Sequence, residues 1–353
     1  MKGRKTIANR LLRNPGTLFG LIVIGVATIV AIIGYLIAPD GSPDANRIIV
    51  EIGGRKPGFR QEFVLLPKPG TQEPVGIFRR LLSGQEDGYD YVPIEGYQVN
   101  GDSLIVQKFV DDGVYERRVY LLNGHPRIGV RRFWLGTDKY GRDILSRLLI
   151  GVRVSLAVGL VTVLLSISVG VGLGALAGYF RGRVDEIVLW LVNVIWSIPT
   201  LLLVFAIMLV LGKGFWQVFV AIGLTLWVNV ARIVRGQVLA VREREYVEAA
   251  RALGYSHARI LLRHILPNIM GPVWVVAASN FASAIVIEAG LSFLGVGVQP
   301  PSPSWGLMIK ENYNFIITHN PMLALAPGIA IMLLVLAFNL LGNGLRDVQG
   351  LRS

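Results

Sequence analysis

Charged residues along this chain are spaced so that six long, predominantly apolar stretches contain none. The first, Thr17–Ala38, is 22 residues long. As a helix it spans about 33 Å, enough to cross a hydrocarbon core of about 30 Å. Val154–Phe180, Ile187–Gly212, Phe215–Ala231, Ile269–Ile287 and Met322–Leu345 follow. The pattern predicts an all-α polytopic membrane protein with six transmembrane helices and both termini on one side. Thr17–Ala38 follows a basic tail, as a signal peptide would, but it is long for a cleavable apolar region. Ala38-Pro39-Asp40 offers no small-x-small cleavage site, so the stretch is expected to be a retained anchor.

Between the first two spans the period changes. Residues 39–135 are rich in Gly, Pro and charge, alternate with period two and contain no spanning run. Asn100-Gly101 is a hairpin signal between Ile94–Val99 and Ser103–Val110, and Asp112-Gly113 turns into Val114–Leu122. Arg47–Ile52 and Gln61–Leu66 are further expected strands. This is a small β-rich insertion, expected outside the cytoplasm. Residues 136–153 then read as an interfacial amphipathic helix capped by Thr137 or Asp138. Its apolar face is Ile144, Leu145, Leu148, Leu149 and Val152, opposite Arg142 and Arg147. The resulting plan is a tail at 1–16, a span at 17–38, the insertion at 39–135 and the interfacial helix at 136–153. A five-helix core at 154–347 and a tail at 348–353 complete it.

Charge supplies the orientation. Hydrophobic residues make up 53% of the chain and charged ones 16%, far from a typical soluble domain. The basic residues follow the loops: Lys2, Arg4, Lys5, Arg10 and Arg13 in the N-terminal tail, Arg181 and Arg183 after the second span. Arg232, Arg235, Arg242, Arg244, Arg251, Arg259 and Arg263 lie between the fourth and fifth spans, with Arg346 and Arg352 at the end. Against these sixteen stand six acids, and the short loops opposite hold only Lys213 and Lys310. The positive-inside rule puts both termini and the 232–267 segment in the cytoplasm. The net charge of +12 follows this alternation and forms no single patch, which argues against nucleic acid as a partner.

Candidate chemistry is sparse. Cysteine is absent, and His125, His257, His264 and His319 are too scattered to suggest metal ligands. No Gly-x-x-x-x-Gly-Lys-Ser/Thr occurs, so ATP is not bound here through a P-loop. Asp138, Arg142 and Asp143 lack a nucleophile or metal partner, so no catalytic residue is assigned. Gly170, Gly174 and Gly178 recur every four residues in the second span, a pattern for close helix packing. Pro199 is expected to bend the third span. Asn193, Asn229, Asn280 and Asn339 give spans three to six one amide each, for interhelical bonding or a polar path. Glu288 is expected near the outer interface, contacting substrate on the translocation path, gating the outer mouth or capping Ala289–Leu294. Trp305 reads as an interfacial anchor.

The segment 232–267 carries the strongest pattern. Tyr246, Ala249, Ala250 and Leu253 fall at i, i+3, i+4 and i+7, a narrow apolar helical stripe that two alanines leave open to a partner. Gly254 sits where a helix C′ residue would. Ser256 is placed to cap a second helix, Arg259–Leu266, and Pro267 to end it. The result is a charged helix–Gly–helix knuckle between two spans.

Glu248-Ala249-Ala250, then Gly254, then Arg263-His264-Ile265-Leu266-Pro267-Asn268 resembles the EAA loop of bacterial ABC importer permeases, in the dipeptide/oligopeptide/nickel branch. Gly136-Thr137-Asp138 with Gly141-Arg142-Asp143, Ser304-Trp305-Gly306 and the ending Ala337–Asp347 are similar to the same family. The resemblance covers about 135–347 and leaves out the β-rich insertion. It implies the type I ABC importer permease fold and an ATP-driven importer of peptides, or alternatively of nickel or another small solute, with no cofactor in this chain. ATP and Mg would be used by two partner ATPases, docked at Tyr246, Glu248, Ala249, Ala250, Leu253, Gly254, Leu266 and Pro267. A second related permease chain and an extracytoplasmic substrate-binding protein would complete the assembly in the bilayer of the plasma membrane. A stand-alone secondary transporter would instead call for paired intramembrane charges, which this sequence lacks.

Overall fold

The structure is a computed structural model that describes residues 9–69, 76–121, 127–212, 214–317 and 320–350. Lys2, Arg4, Lys5, His125, Lys213, His319 and Arg352 lie outside the described residues. In chain order the elements are α1 (Pro15–Ile37), β1 (Phe59–Pro67), α2 (Ile77–Ser83), β2 (Tyr89–Asn100), β3 (Ser103–Asp111), β4 (Val114–Leu121) and β5 (Arg127–Phe133). Then come α3 (Ile144–Phe180), α4 (Gly182–Trp196), α5 (Thr200–Leu211), α6 (Phe215–Val241), α7 (Glu245–Ala252), α8 (His257–Leu294), α9 (Trp305–Asn312) and α10 (Met322–Gly350). Five of these helices are long and apolar enough to cross a membrane. A sixth crossing is α4 with α5 if that pair is one span; they meet at 95° around Pro199. The residues group into two compact units. One is Met1–Ala27, Ser155–Gln299 and Ile331–Ser353; the other is Thr28–Val154 and Pro300–Ala330.

In the first unit, the glycine stripe of α3 packs on α6. A Cβ on Gly170 would lie 2.7 Å from the Trp227 carbonyl oxygen, one on Gly174 2.4 Å from that of Ala231, and one on Gly178 2.8 Å from that of Arg235. Gly172, on another face, has nothing within 4 Å. The spacing therefore serves backbone approach. Around this seam Ala177, Val188, Val192, Trp227, Val228 and Ala231 form one buried cluster. Arg235 on α6 and Asp185 on α4 pair through two hydrogen bonds of 2.5 and 2.6 Å.

The second unit holds an antiparallel sheet of order β4-β3-β2-β1-β5. Period-two alternation gives it two apolar faces: Phe63, Phe109 and Phe133 on one, Val64, Ile94, Leu104 and Val106 on the other. Gly101 (φ 58) and Gly113 (φ 78) make the two tight turns, where L side chains are strained. Arg47–Ile52 is not a strand. Val50–Ile52 forms a 3-10 turn, and Ile49 and Ile52 plug the aromatic face of the sheet. Strand β5 escapes the sequence pattern because Arg127, Arg131 and Arg132 interrupt its alternation; such charges suit an edge strand.

No separate helix occupies 136–153. The Asp138 carboxylate accepts from the Tyr140 and Arg142 amides (2.9 and 3.0 Å), which folds 137–143 into a turn that opens after Gly136 (φ 81) and contains Gly141 (φ 74). Asp143 accepts from the Ser146 amide (2.9 Å) at the start of α3, in place of the expected Thr137 or Asp138 cap. Arg142 and Arg147 are buried rather than facing an interface. Arg142 bonds to Asp138 and to Glu311 of α9, both at 2.6 Å. The motif is thus a structural clasp. Trp305 is also buried, its ring against Gly151 and its Nε1 donating to the Leu148 carbonyl (3.1 Å), so it is not an interfacial anchor.

Candidate functional site

The knuckle is built from the end of α6, the short helix α7 and the start of α8. Helix α7 ends in a Schellman arrangement. Gly254 takes φ 75, its amide donates to the Arg251 carbonyl (2.9 Å), and the Tyr255 amide donates to that of Ala250 (3.1 Å). Ser256 accepts from the Arg259 amide and opens α8. Pro267 does not end this helix. Residues Ile260–Ile265 widen into a π turn, the Leu266 amide reaching back to the Leu261 carbonyl, and α8 continues to Leu294. Proline has no amide hydrogen and its ring crowds the carbonyl four residues back; the widened turn lies immediately before it.

The apolar stripe divides. At about 100° per residue Ala250 lies between Tyr246 and Val247 around the helix. Packing selects Val247 and Ala250 as the inward pair, buried with Val234, Val238, Ile260 and Ile265. Tyr246 (43% exposed), Ala249 and Leu253 (71% exposed) face outward with Glu248. Ala250 is therefore interior, a correction to the stripe read from sequence. Val247 was missed there, although an apolar residue next to the stripe was its signal. Leu266 is half-buried and Pro267 exposed. Further bonds brace the outward face. The Asn268 amide donates to Tyr246 Oη (3.1 Å) and to the His264 carbonyl (2.7 Å), and Tyr179 Oη pairs with His257 Nδ1 (2.9 Å). Arg181 donates to Glu243 (2.6 Å).

The same two long helices, α6 and α8, line a cleft of about 490 Å³. Asn229, Arg232 and Ile233 come from α6, Val275, Val276, Ser279 and Asn280 from α8, with Trp196 and Arg346. Trp196 Nε1 donates to Asn229 Oδ1 (3.3 Å), and the Arg232 guanidinium lies 4.0 Å from the Trp196 ring centre. Asn280 is buried and donates to Ser166 Oγ and the Leu226 carbonyl, both at 3.3 Å. Of the four amides proposed for a polar path, Asn229 and Asn280 share this cleft; Asn193 and Asn339 are exposed outside it. Arg232 and Trp196 are cleft residues that sequence reasoning passed over, Arg232 being read only as topological charge.

Glu288 lies within α8, not before a separate segment, so it does not cap Ala289–Leu294. Its carboxylate is buried and accepts from Ser292 Oγ (2.6 Å), which in turn accepts from the Val298 amide (3.0 Å). It thereby fastens the turn that follows the helix.

Residues 170–352 match the family model described as the binding-protein-dependent transport system inner membrane component. The β-rich insertion lies outside that match. The chain is 43% identical over 214 residues to the glutathione transport system permease protein GsiD of Pectobacterium atrosepticum, covering 61% of this chain and 71% of that protein. It is 41% identical over 214 residues to the oligopeptide transport system permease protein OppC of Bacillus subtilis, covering 61% and 70%. The dipeptide transport system permease protein DppC of Bacillus subtilis is also 41% identical over 214 residues, covering 61% and 67%.

Proposed function

Because the chain belongs to the family of binding-protein-dependent transport system inner membrane components, we propose that it is the permease subunit through which an ABC importer moves peptides or glutathione. The substrate class comes from the names of its relatives. The six-span type I arrangement, with α4 and α5 counted as one bent span, is part of this reading. So are two ATPases, a second permease chain, a substrate-binding protein and an extracytoplasmic place for the sheet. ATP and Mg belong to the ATPases.

One observation carries the coupling assignment. The outward residues Tyr246, Ala249 and Leu253 ride on a helix whose inner face, Val247 and Ala250, is packed into α6 and α8. Those two helices also carry Asn229, Arg232, Ser279 and Asn280 at the cleft. Displacing α7 therefore strains the packing of both cleft-lining helices, because a close-packed core moves as a body and does not deform smoothly. ATPase closure would act on α7, and the cleft would alternate in access. The work is non-covalent: the ATPase supplies free energy, and this chain converts it into helix displacement.

The test is purification of the assembled transporter with an ATPase retained in stoichiometric amount. Leu253→Glu, which puts a carboxylate on the outward face, should release the ATPase while the chain stays inserted. Full retention on that variant would refute the docking surface.

A further inference from the structure

Helix α2 is short, and its sequence Ile77-Phe78-Arg79-Arg80-Leu81-Leu82-Ser83 places four apolar residues on an arc of about 140°, opposite both arginines. Yet the arc is largely uncovered within its unit: Ile77 is 76% exposed, Phe78 73% and Leu82 55%. Such exposure on consecutive large side chains marks a surface that something covers.

The attachment of α2 identifies what covers it. Arg153 Nη1 donates to the Leu81 and Leu82 carbonyls, each at 3.0 Å, satisfying the end of the helix. Arg153 is the last charge before the uncharged run Val154–Phe180, so it marks the level at which α3 enters the membrane. From the other side, Gly84 (φ 74) packs against the Tyr35 ring near the end of α1, where a Cβ would lie 2.9 Å from ring carbons. The Gln85 amide donates to the Gly41 carbonyl (2.9 Å), and the Arg153 guanidinium lies 5.0 Å from the Tyr35 ring centre. Two independent rulers, the end of one span and the start of the next, thus set α2 at the same level. The exposed apolar surface of α1 continues toward it through Ile32, Leu36 and Ile37.

We propose that α2 is a membrane-surface helix, with Ile77, Phe78 and Leu82 sunk into the acyl boundary and Arg79 and Arg80 among lipid phosphates. It would hold the β1–β2 connection of the insertion to the bilayer at the junction of two spans. The proposal rests on the membrane reading of α1 and α3, and the test separates the two.

The absence of cysteine allows single thiols to be placed in the full chain, assembled in phosphatidylcholine–phosphatidylglycerol vesicles. Phe78→Cys, Ile32→Cys on the exposed face of α1 and Asp102→Cys at the β2–β3 turn would each carry an environment-sensitive fluorophore. Quenching is then compared between shallow spin-labelled lipid and aqueous iodide. The Phe78 site should be quenched by the lipid at least about threefold more than the Asp102 site and resemble the Ile32 site, as interfacial burial requires. Quenching by iodide alone would overturn the proposal. Protection from both quenchers would also overturn it, because a protein partner would then cover the helix. An Ile32 site untouched by lipid would remove the membrane premise and the proposal with it.

Discussion

Val247 and Leu253 are six residues apart in one short segment, and the structure gives them opposite duties. Val247 is 0% exposed among Val234, Val238, Ile260 and Ile265. Val247→Ala removes two carbons from that cluster, about 1.6 kcal/mol of transfer free energy. With the cavity contribution the loss is about 2–3 kcal/mol. Leu253 is 71% exposed, so Leu253→Ala costs the isolated chain well under about 1 kcal/mol. If an ATPase covers it, the truncation forfeits about 1–2 kcal/mol of docking free energy. Amide hydrogen exchange over 245–253 should therefore accelerate about 30- to 150-fold in Val247→Ala and only a few-fold in Leu253→Ala. ATPase affinity, measured by titration against the purified permease complex, should fall about 5- to 30-fold in Leu253→Ala. Equal acceleration of exchange in both variants would refute the inward–outward division. An unchanged affinity in Leu253→Ala would refute the docking role of the outward face.

Three further outcomes are expected. Gly174→Ala forces a Cβ to within 2.4 Å of the Ala231 carbonyl and should cost about 1–3 kcal/mol, whereas Gly172→Ala, in open space, should be nearly silent; the folded fraction surviving in detergent measures both. Gly254 has φ 75 with nothing within 4 Å of its missing Cβ, so substitution should cost backbone strain alone. Asn should be milder than Ala and Ala, at about 1 kcal/mol, milder than Val, as read by exchange of the Tyr255 amide. Single cysteines at Ser103 and Ser256 should label from opposite sides of the membrane; labelling of both from one side would overturn the proposed topology.

The long apolar helices were legible because a bilayer leaves local sequence little choice: a backbone in hydrocarbon satisfies itself as helix, and charge marks where it leaves. Chain-local sterics likewise made Gly254, Ser256 and the glycine turns of the sheet readable, since each depends on a few neighbouring backbone atoms. The glycine stripe of α3 could be read as a packing face, though its partner α6 could not. Direction and partnership were decided only in three dimensions. A period of 3.6 left both Val247 and Leu253 eligible for burial on α7, and contact with α6 and α8 selected Val247. Asp138 is a fair helix cap by residue type. Its carboxylate instead takes two turn amides and Arg142, which Glu311 holds from a distant part of the chain. Among the four asparagines no local feature separates Asn229 and Asn280 from the others, because a cleft is a property of helix crossings. Pro267 looked like a stop for the same reason: the π turn that absorbs it lies in a helix held on both sides by tertiary packing, a stabilisation that no window of sequence contains.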